Sequence, residues 1–119
     1  MITLYHNSRC SKSNAALALL STKLGKHADT LSVIDYLETP LSVETLEALH
    51  RMLGGSVRGM MRPDEPEYKS LALHAPEIED SQLYEAMASN PILLQRPIVV
   101  RDGRAVIGRP TEAIEALFA

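Results

Sequence analysis

The stretch whose reading decides the fold is Ile2-Thr3-Leu4-Tyr5-His6-Asn7-Ser8-Arg9-Cys10-Ser11-Lys12-Ser13. Ile2 to Tyr5 reads as a strand and His6 to Cys10 as a polar loop. Ser11 to Leu24 then reads as a helix that Gly25 stops, with Ala15, Leu17, Ala18, Leu20 and Leu24 broadly on one face. Leu31 to Tyr36 supplies a second strand. Two strands joined through a helix need a crossover, which makes this opening a β-α-β unit with a parallel pair.

The rest of the chain is read outward from that unit. Pro40 breaks the chain, and Ser42 caps a helix running to about Leu53, with Leu41 and Leu46 at the positions of a hydrophobic staple. Gly54-Gly55 ends it. Ser56 to Leu73 reads as short helical pieces broken at Pro63 and Pro66. A further helix covers about Ser81 to Ser89, stopped by Asn90-Pro91. The period then changes: Pro97 to Arg101 is a strand, Asp102-Gly103 a two-residue hairpin turn, and Arg104 to Ile107 the returning strand. Pro110 suits the first position of a closing helix that reaches about Leu117. The order predicts one α/β domain over residues 1–119: a thioredoxin-like mixed four-stranded sheet with a helical insertion at about 41–90.

Composition narrows the function classes. A chain of 119 residues buries roughly two-thirds of its unfolded surface, enough for a core without staples. One cysteine excludes an internal disulfide and a four-cysteine zinc site. No apolar run approaches the roughly 20 residues that span a bilayer, and Met1 to Tyr5 has no basic-then-apolar signal. A reducing, cytoplasmic setting with no membrane partner is expected. A formal charge of -3 argues against a nucleic-acid surface. The basic set nevertheless leans to arginine, eight against four lysines, and arginine's planar fork suits oxyanions.

Cys10 stands where the loop meets the helix, so free backbone N–H groups and the positive end of the helix dipole favour a thiolate there. Arg9 and Lys12 add positive charge. Ser11 and Ser13 are candidate donors to the sulfur or to a bound anion, Asn7 is placed to bridge loop backbone groups, and His6 to orient the thiol. Ser13 stands where a Cys-x-x-Cys motif has its second thiol, so a resolving thiol has to come from another molecule. A buried structural cysteine is the alternative.

Arg96 and Arg109 bracket the hairpin, so the returning chain brings both to one end of the sheet, and Arg62 reaches that end if the insertion folds over it. Three guanidinium groups around one thiol suit a tetrahedral, multiply charged oxyanion. Arg58 competes with Arg62 for this role. Arg51, Arg101 and Arg104 are expected to face solvent. Pro97 is the candidate for a cis peptide beside the cysteine loop. Glu65, Glu67, Glu77, Glu79 and Asp80 read as a solvated acidic stretch, and Met52, Met60, Met61 and Met87 as core fillers. His27, His50 and His74 are scattered, so no metal site is expected. No glycine fingerprint for a nucleotide is present, and no bound cofactor is expected.

His6 to Ser13, Tyr36-Leu37-Glu38-Thr39-Pro40, Ser56-Val57-Arg58 with Arg62, Asn90-Pro91-Ile92-Leu93, Arg96-Pro97-Ile98-Val99-Val100 and Gly108-Arg109-Pro110 occur in one order across nearly the whole chain. Together they resemble the glutaredoxin-coupled arsenate reductases, the ArsC family. The resemblance implies a thioredoxin-like core with a helical insertion and Cys10 as the catalytic cysteine. It implies that Arg62, Arg96 and Arg109 hold the oxyanion, that His6 is the histidine beside the site, and that Pro97 is the family's cis-proline. Lys12 departs from the small uncharged residue of well-known resistance enzymes, and the Ser-Lys-Ser form resembles the housekeeping YfgD-like branch.

The chemistry so implied is attack of Cys10 on arsenate, reduction of the adduct with glutathione as external reductant, and resolution by glutaredoxin to release arsenite. A monomer is expected. Two alternatives stand beside it: a glutathione-dependent thiol–disulfide oxidoreductase, and a regulator of the Spx type that binds RNA polymerase.

Overall fold

Ile2 and Leu4 are fully buried at a spacing of two, the mark of a strand with one face on a core. In the computed structural model, which describes residues 1–24 and 30–118, they belong to β1 (Ile2–His6), an interior strand. It pairs in parallel with β2 (Leu31–Asp35), Tyr5 facing Ile34, and antiparallel with β3 (Ile98–Arg101), Tyr5 facing Ile98. β3 pairs antiparallel with β4 (Arg104–Ile107), giving a mixed four-stranded sheet in the order β2-β1-β3-β4. This is a thioredoxin-like α/β arrangement. The β3–β4 turn has φ 51° at Asp102 and 76° at Gly103, the positive pair a type I′ hairpin needs.

Between β1 and β2 runs α1 (Ser11–Leu24). Gly25 and His27 lie outside the described residues. The helix buries Ser13, Ala16 and Leu20, while Ala15 and Ala18 are exposed. Alanine is a weak marker of a helix face, because its single methyl is tolerated inside or out. The larger Leu17, Leu19 and Leu24 are partly buried and set which stripe turns inward. The core under the sheet joins Ile2, Leu4, Ala16, Leu20, Val99, Ile114 and Leu117.

The closing segment, Thr111–Phe118, is a 3-10 helix. Pro110 does not occupy its first turn: its carbonyl accepts the N–H of Ala113 at 3.0 Å, the part of a cap, and the Arg109–Pro110 peptide is cis. Helix ends leave carbonyls without partners. Arg101 Nη1 and Arg104 Nη2 donate to the oxygen of Leu117 at 2.8 and 3.1 Å, and the Arg101 guanidinium lies 4.5 Å over the Phe118 ring. Arg101 is therefore half-buried rather than solvent-facing.

The chain divides into two compact units, Met1–Thr39 with Arg96–Ala119, and Pro40–Gln95. The second is helical. It contains α2 (Val43–Leu53), α3 (Pro66–Ser70) and α4 (Asp80–Ser89), with 3-10 turns at Val57–Met60 and Pro91–Leu93. Ser42 Oγ accepts the Thr45 N–H at 3.1 Å and caps α2. Pro66 begins α3 instead of interrupting a helix, since the first turn has no use for its missing N–H. Glu79 forms a reciprocal capping box with Gln82 and so starts α4, while staying exposed as expected of the acidic stretch. Met60, Met61 and Met87 are buried. Among the described residues no helix is long and apolar enough to cross a membrane, and no group of histidine, cysteine and carboxylate side chains is placed to hold a metal ion.

Candidate active site

The loop from β1 to α1 is tied up by its own residues. Cys10 N–H donates to the Asn7 carbonyl at 3.0 Å, Arg9 N–H to Asn7 Oδ1 at 3.0 Å, and Asn14 Nδ2 to the Ser8 carbonyl at 2.9 Å. The Cys10 carbonyl accepts Asn14 N–H at 3.0 Å, the first bond of α1. Cys10 is thus the residue at which the chain enters the helix. It is half-buried, whereas Ser8, Arg9, Ser11 and Lys12 around it are exposed.

β3 brings the other half of the site. Because Ile98 faces Tyr5, the Arg96–Pro97 peptide precedes β3 beside the end of β1, and that peptide is cis. Arg109 Nε donates to the Arg96 carbonyl at 2.7 Å, and Arg109 Nη2 lies 3.6 Å from Cys10 Sγ, within the longer reach of sulfur. One guanidinium is therefore held on the cis peptide and offered to the thiol. Arg96 itself is half-buried at the same place in the sheet unit.

Gly108 was not singled out as a site residue by the sequence, yet the geometry depends on it. Its N–H donates to the Pro97 carbonyl at 2.9 Å, and a Cβ there would stand 2.8 Å from Pro97 Cγ and 3.2 Å from Ile114 Cδ1. Only a residue without a side chain lets β4 end this close to Pro97. The available signal was a glycine directly before Arg109-Pro110. Asn14, too, serves the site without a sequence motif to mark it, by closing the loop on Ser8.

Ser13 differs from its expected part. It is completely buried, its Oγ accepts the Asn7 N–H at 3.0 Å, and it lies 2.6 Å from His6 Nδ1. Its bonds go beneath the loop, not to Cys10, because the third residue of α1 shares the inner stripe with Ala16 and Leu20. His6 and Asn7 are buried with it. Burial also pushes the Tyr5 phenol above its ordinary value of 10.0.

Arg62 belongs to the helical unit, where its Nη1 pairs with Glu65 Oε1 at 2.5 Å. Glu65 is thereby engaged and not simply solvated. Arg58 is separated from Arg62 by its bonds: Nε to the Leu73 carbonyl at 3.1 Å and Nη2 to the Ala75 carbonyl at 2.7 Å, a local clamp on the turn after α3. Beside the cysteine loop, a polar cleft of ≈ 260 Å³ is lined by Asn7, Ser8, Arg9, Asp35, Leu37 and Glu38.

Residues 5–117 match the model of the ArsC family. An arsenate reductase of Neisseria meningitidis serogroup A is 45% identical over 118 residues, covering 98% of this chain and 97% of the relative. The Escherichia coli K12 protein YfgD is 43% identical over 114 residues, covering 95% and 92%. The solved structure of an arsenate reductase from Vibrio cholerae superposes with a TM-score of 0.91 at 44% identity, covering 98% of this chain and 96% of that one. With the family model matching residues 5–117 and these relatives alike over nearly the whole chain, this chain belongs to the ArsC family, as an oxidoreductase on a thioredoxin-like fold.

Proposed function

We propose that this chain reduces arsenate, with Cys10 supplying one reducing thiol, glutathione the second, and glutaredoxin restoring the enzyme. The observation that carries the reading is the approach of Arg109 Nη2 to Cys10 Sγ at 3.6 Å while its Nε is anchored on the Arg96 carbonyl. An anionic nucleophile and an anionic substrate repel one another, and a fixed guanidinium between them offsets that repulsion and orients the oxyanion.

In the first step the Cys10 sulfur bonds to arsenic, and one arsenate hydroxyl leaves as water with the thiol proton; arsenic remains As(V). The thiolate of glutathione then attacks the Cys10 sulfur. The S–As electron pair stays on arsenic, which leaves as arsenite, and a Cys10–glutathione disulfide remains. A glutaredoxin thiolate takes the glutathione from that disulfide and returns Cys10 to its starting state. The electrons enter through external thiols, so this scheme asks for no bound cofactor, and it suits a monomer in a reducing, cytoplasmic compartment.

Arg109 and Arg96 are assigned to the oxyanion together with Arg62. The pairing of Arg62 with Glu65 does not exhaust it, since a guanidinium carries five N–H donors. Ser11 and Lys12 line the exposed first turn beside the sulfur, and His6, Asn7 and Ser13 hold the loop from below. Pro97 contributes the cis peptide whose carbonyl-side neighbour, Arg96, anchors Arg109.

A second reading, a glutathione-dependent thiol–disulfide oxidoreductase, draws on the polar cleft. Its lining carries both Arg9 and the carboxylates Asp35 and Glu38, which together complement the two charges of an amino-acid end. The two readings separate in one assay: arsenate-dependent NADPH consumption coupled through glutathione, glutathione reductase and glutaredoxin. Turnover lost in Cys10→Ser, strongly reduced in Arg96→Ala and absent without glutathione is the expected result. Folded, reduced protein that ignores arsenate but turns over a glutathione mixed disulfide would overturn the first reading in favour of the second.

A further inference from the structure

A hydroxyl enclosed as completely as that of Ser13 has to place its proton and its lone pairs within the protein. Asn7 N–H donates to Oγ at 3.0 Å, and His6 Nδ1 lies 2.6 Å away. Among the described residues Oγ makes no third bond. Were the His6 proton on Nδ1, Oγ would receive two donors and its own hydrogen would be stranded in the interior. With the hydroxyl donating to a bare Nδ1, all three groups are satisfied and the His6 proton sits on Nε2.

The same oxygen supports the loop that carries the thiol. Ser13 Oγ holds the Asn7 N–H, the Asn7 carbonyl holds the Cys10 N–H, and Asn7 Oδ1 holds the Arg9 N–H. Bonds therefore run in series from a buried side chain of α1 to the backbone of Cys10. We infer that Ser13 is a positioning residue, whose hydroxyl fixes His6 as the Nε2–H tautomer and holds residues 7–10 so that Cys10 Sγ meets Arg109. The inference takes Cys10 as the reacting group, as proposed above. It also gives a meaning to the serine three residues after Cys10: a buried anchor replaces the second thiol of a Cys-x-x-Cys motif.

The test reads the loop without arsenate, glutathione or glutaredoxin. Imidazole ¹⁵N spectra of the reduced wild-type protein are expected to show His6 protonated on Nε2; a proton on Nδ1 overturns the inference. In Ser13→Ala, alkylation of Cys10 by iodoacetamide is expected to slow roughly ten-fold, the scale of a small misplacement of a reacting group. The His6 spectrum should then lose its single tautomer. A folded Ser13→Ala with the wild-type alkylation rate and His6 spectrum refutes the role. If that variant does not fold, the wild-type His6 spectrum still decides, and Ser13→Thr, which keeps the hydroxyl, is expected to keep the Nε2–H tautomer and the Cys10 alkylation rate; a folded Ser13→Thr that keeps the alkylation rate with its His6 proton on Nδ1 overturns the inference. Should arsenate turnover fail while the Nε2–H tautomer and the slowed alkylation are found, the substrate proposal falls and this one stands.

Discussion

His6 and Ser13 in the sheet unit, and His50 and Tyr84 in the helical unit, each meet at 2.6 Å through the histidine Nδ1. Their surroundings part from there. His50 also donates from Nε2 to the Gly55 carbonyl at 2.7 Å, so both ring nitrogens are committed, and the histidine ties α2 to α4 and to the turn that follows α2. His6 has no protein partner at Nε2 among the described residues, and its serine leads on to Asn7 and the backbone of Cys10. The same local pair is a rivet in one unit and the base of a reactive loop in the other. What distinguishes them is the next bond in the series, which neither pair contains.

That contrast can be broken, and the largest effect is expected at the point where the sheet unit meets its thiol. Arg109→Lys keeps the charge but cannot hold the Arg96 carbonyl through Nε while presenting a second donor to Cys10 Sγ. A loss of roughly 10²-fold in kcat/KM for arsenate is expected, the scale of one removed transition-state donor. Wild-type kinetics in this variant would remove Arg109 from the oxyanion site.

Gly108→Ala comes next. Its methyl would press on Pro97 at 2.8 Å and on Ile114 at 3.2 Å, both packed positions of the sheet unit. Overpacking of this kind costs about 1–3 kcal/mol, to be read as a lower urea midpoint together with slower Cys10 alkylation. A midpoint unchanged from wild type would mean that β4 can move away from Pro97 freely.

Tyr84→Phe addresses the other member of the comparison. Removing the hydroxyl that bonds His50 Nδ1 is expected to lower stability by about 1 kcal/mol and to leave Cys10 alkylation and turnover alone. A slowed thiol in this variant would show that the helical-unit histidine also serves the chemistry.

The smallest effect is one of pH. Burial raises the Tyr84 phenol above its ordinary 10.0, with Asp80 and Glu47 adding to the rise and Arg51 opposing it, and burial raises Tyr5 as well. The unfolded chain therefore ionises these phenols first. Their contribution to stability is complete below about pH 10 and is lost as pH rises through the higher folded values. Unfolding midpoints measured from pH 9 upward should fall, and Tyr84→Phe should flatten part of the decline. An unaltered decline in that variant would assign the loss to other groups.

Much of the fold was legible because its signals are local. The alternation in Ile2 to Tyr5, the Ser42 cap and the Asp102-Gly103 turn each depend on neighbours a few residues away, and each appears where the sequence put it. Other features turned on neighbours that the sequence does not order. Glu65 reads as solvated charge until Arg62 claims it. Arg101 reads as solvent-facing until the carbonyl of Leu117 comes within reach, whereas Arg104 reaches the same carbonyl and stays exposed. Ser13 was legible as a member of the cysteine loop, but the turn of α1 that buries it is set by leucines further along the helix.

By itself, the sequence determined that this chain has one thiol, a strand–loop–helix to carry it, an arginine-rich basic set and a hairpin bracketed by Arg96 and Arg109. These follow from short-range preferences that hold wherever such residues occur. The tertiary structure decided which partners they meet. It paired Arg109 with a sulfur 99 positions away and with the Arg96 carbonyl, turned Ser13 inward to His6 and Asn7, and committed Arg58 to two carbonyls of its own unit. Hydrogen bonds act over about 3 Å, so a side chain's role is settled only when the sheet and its packing bring distant backbone within that range.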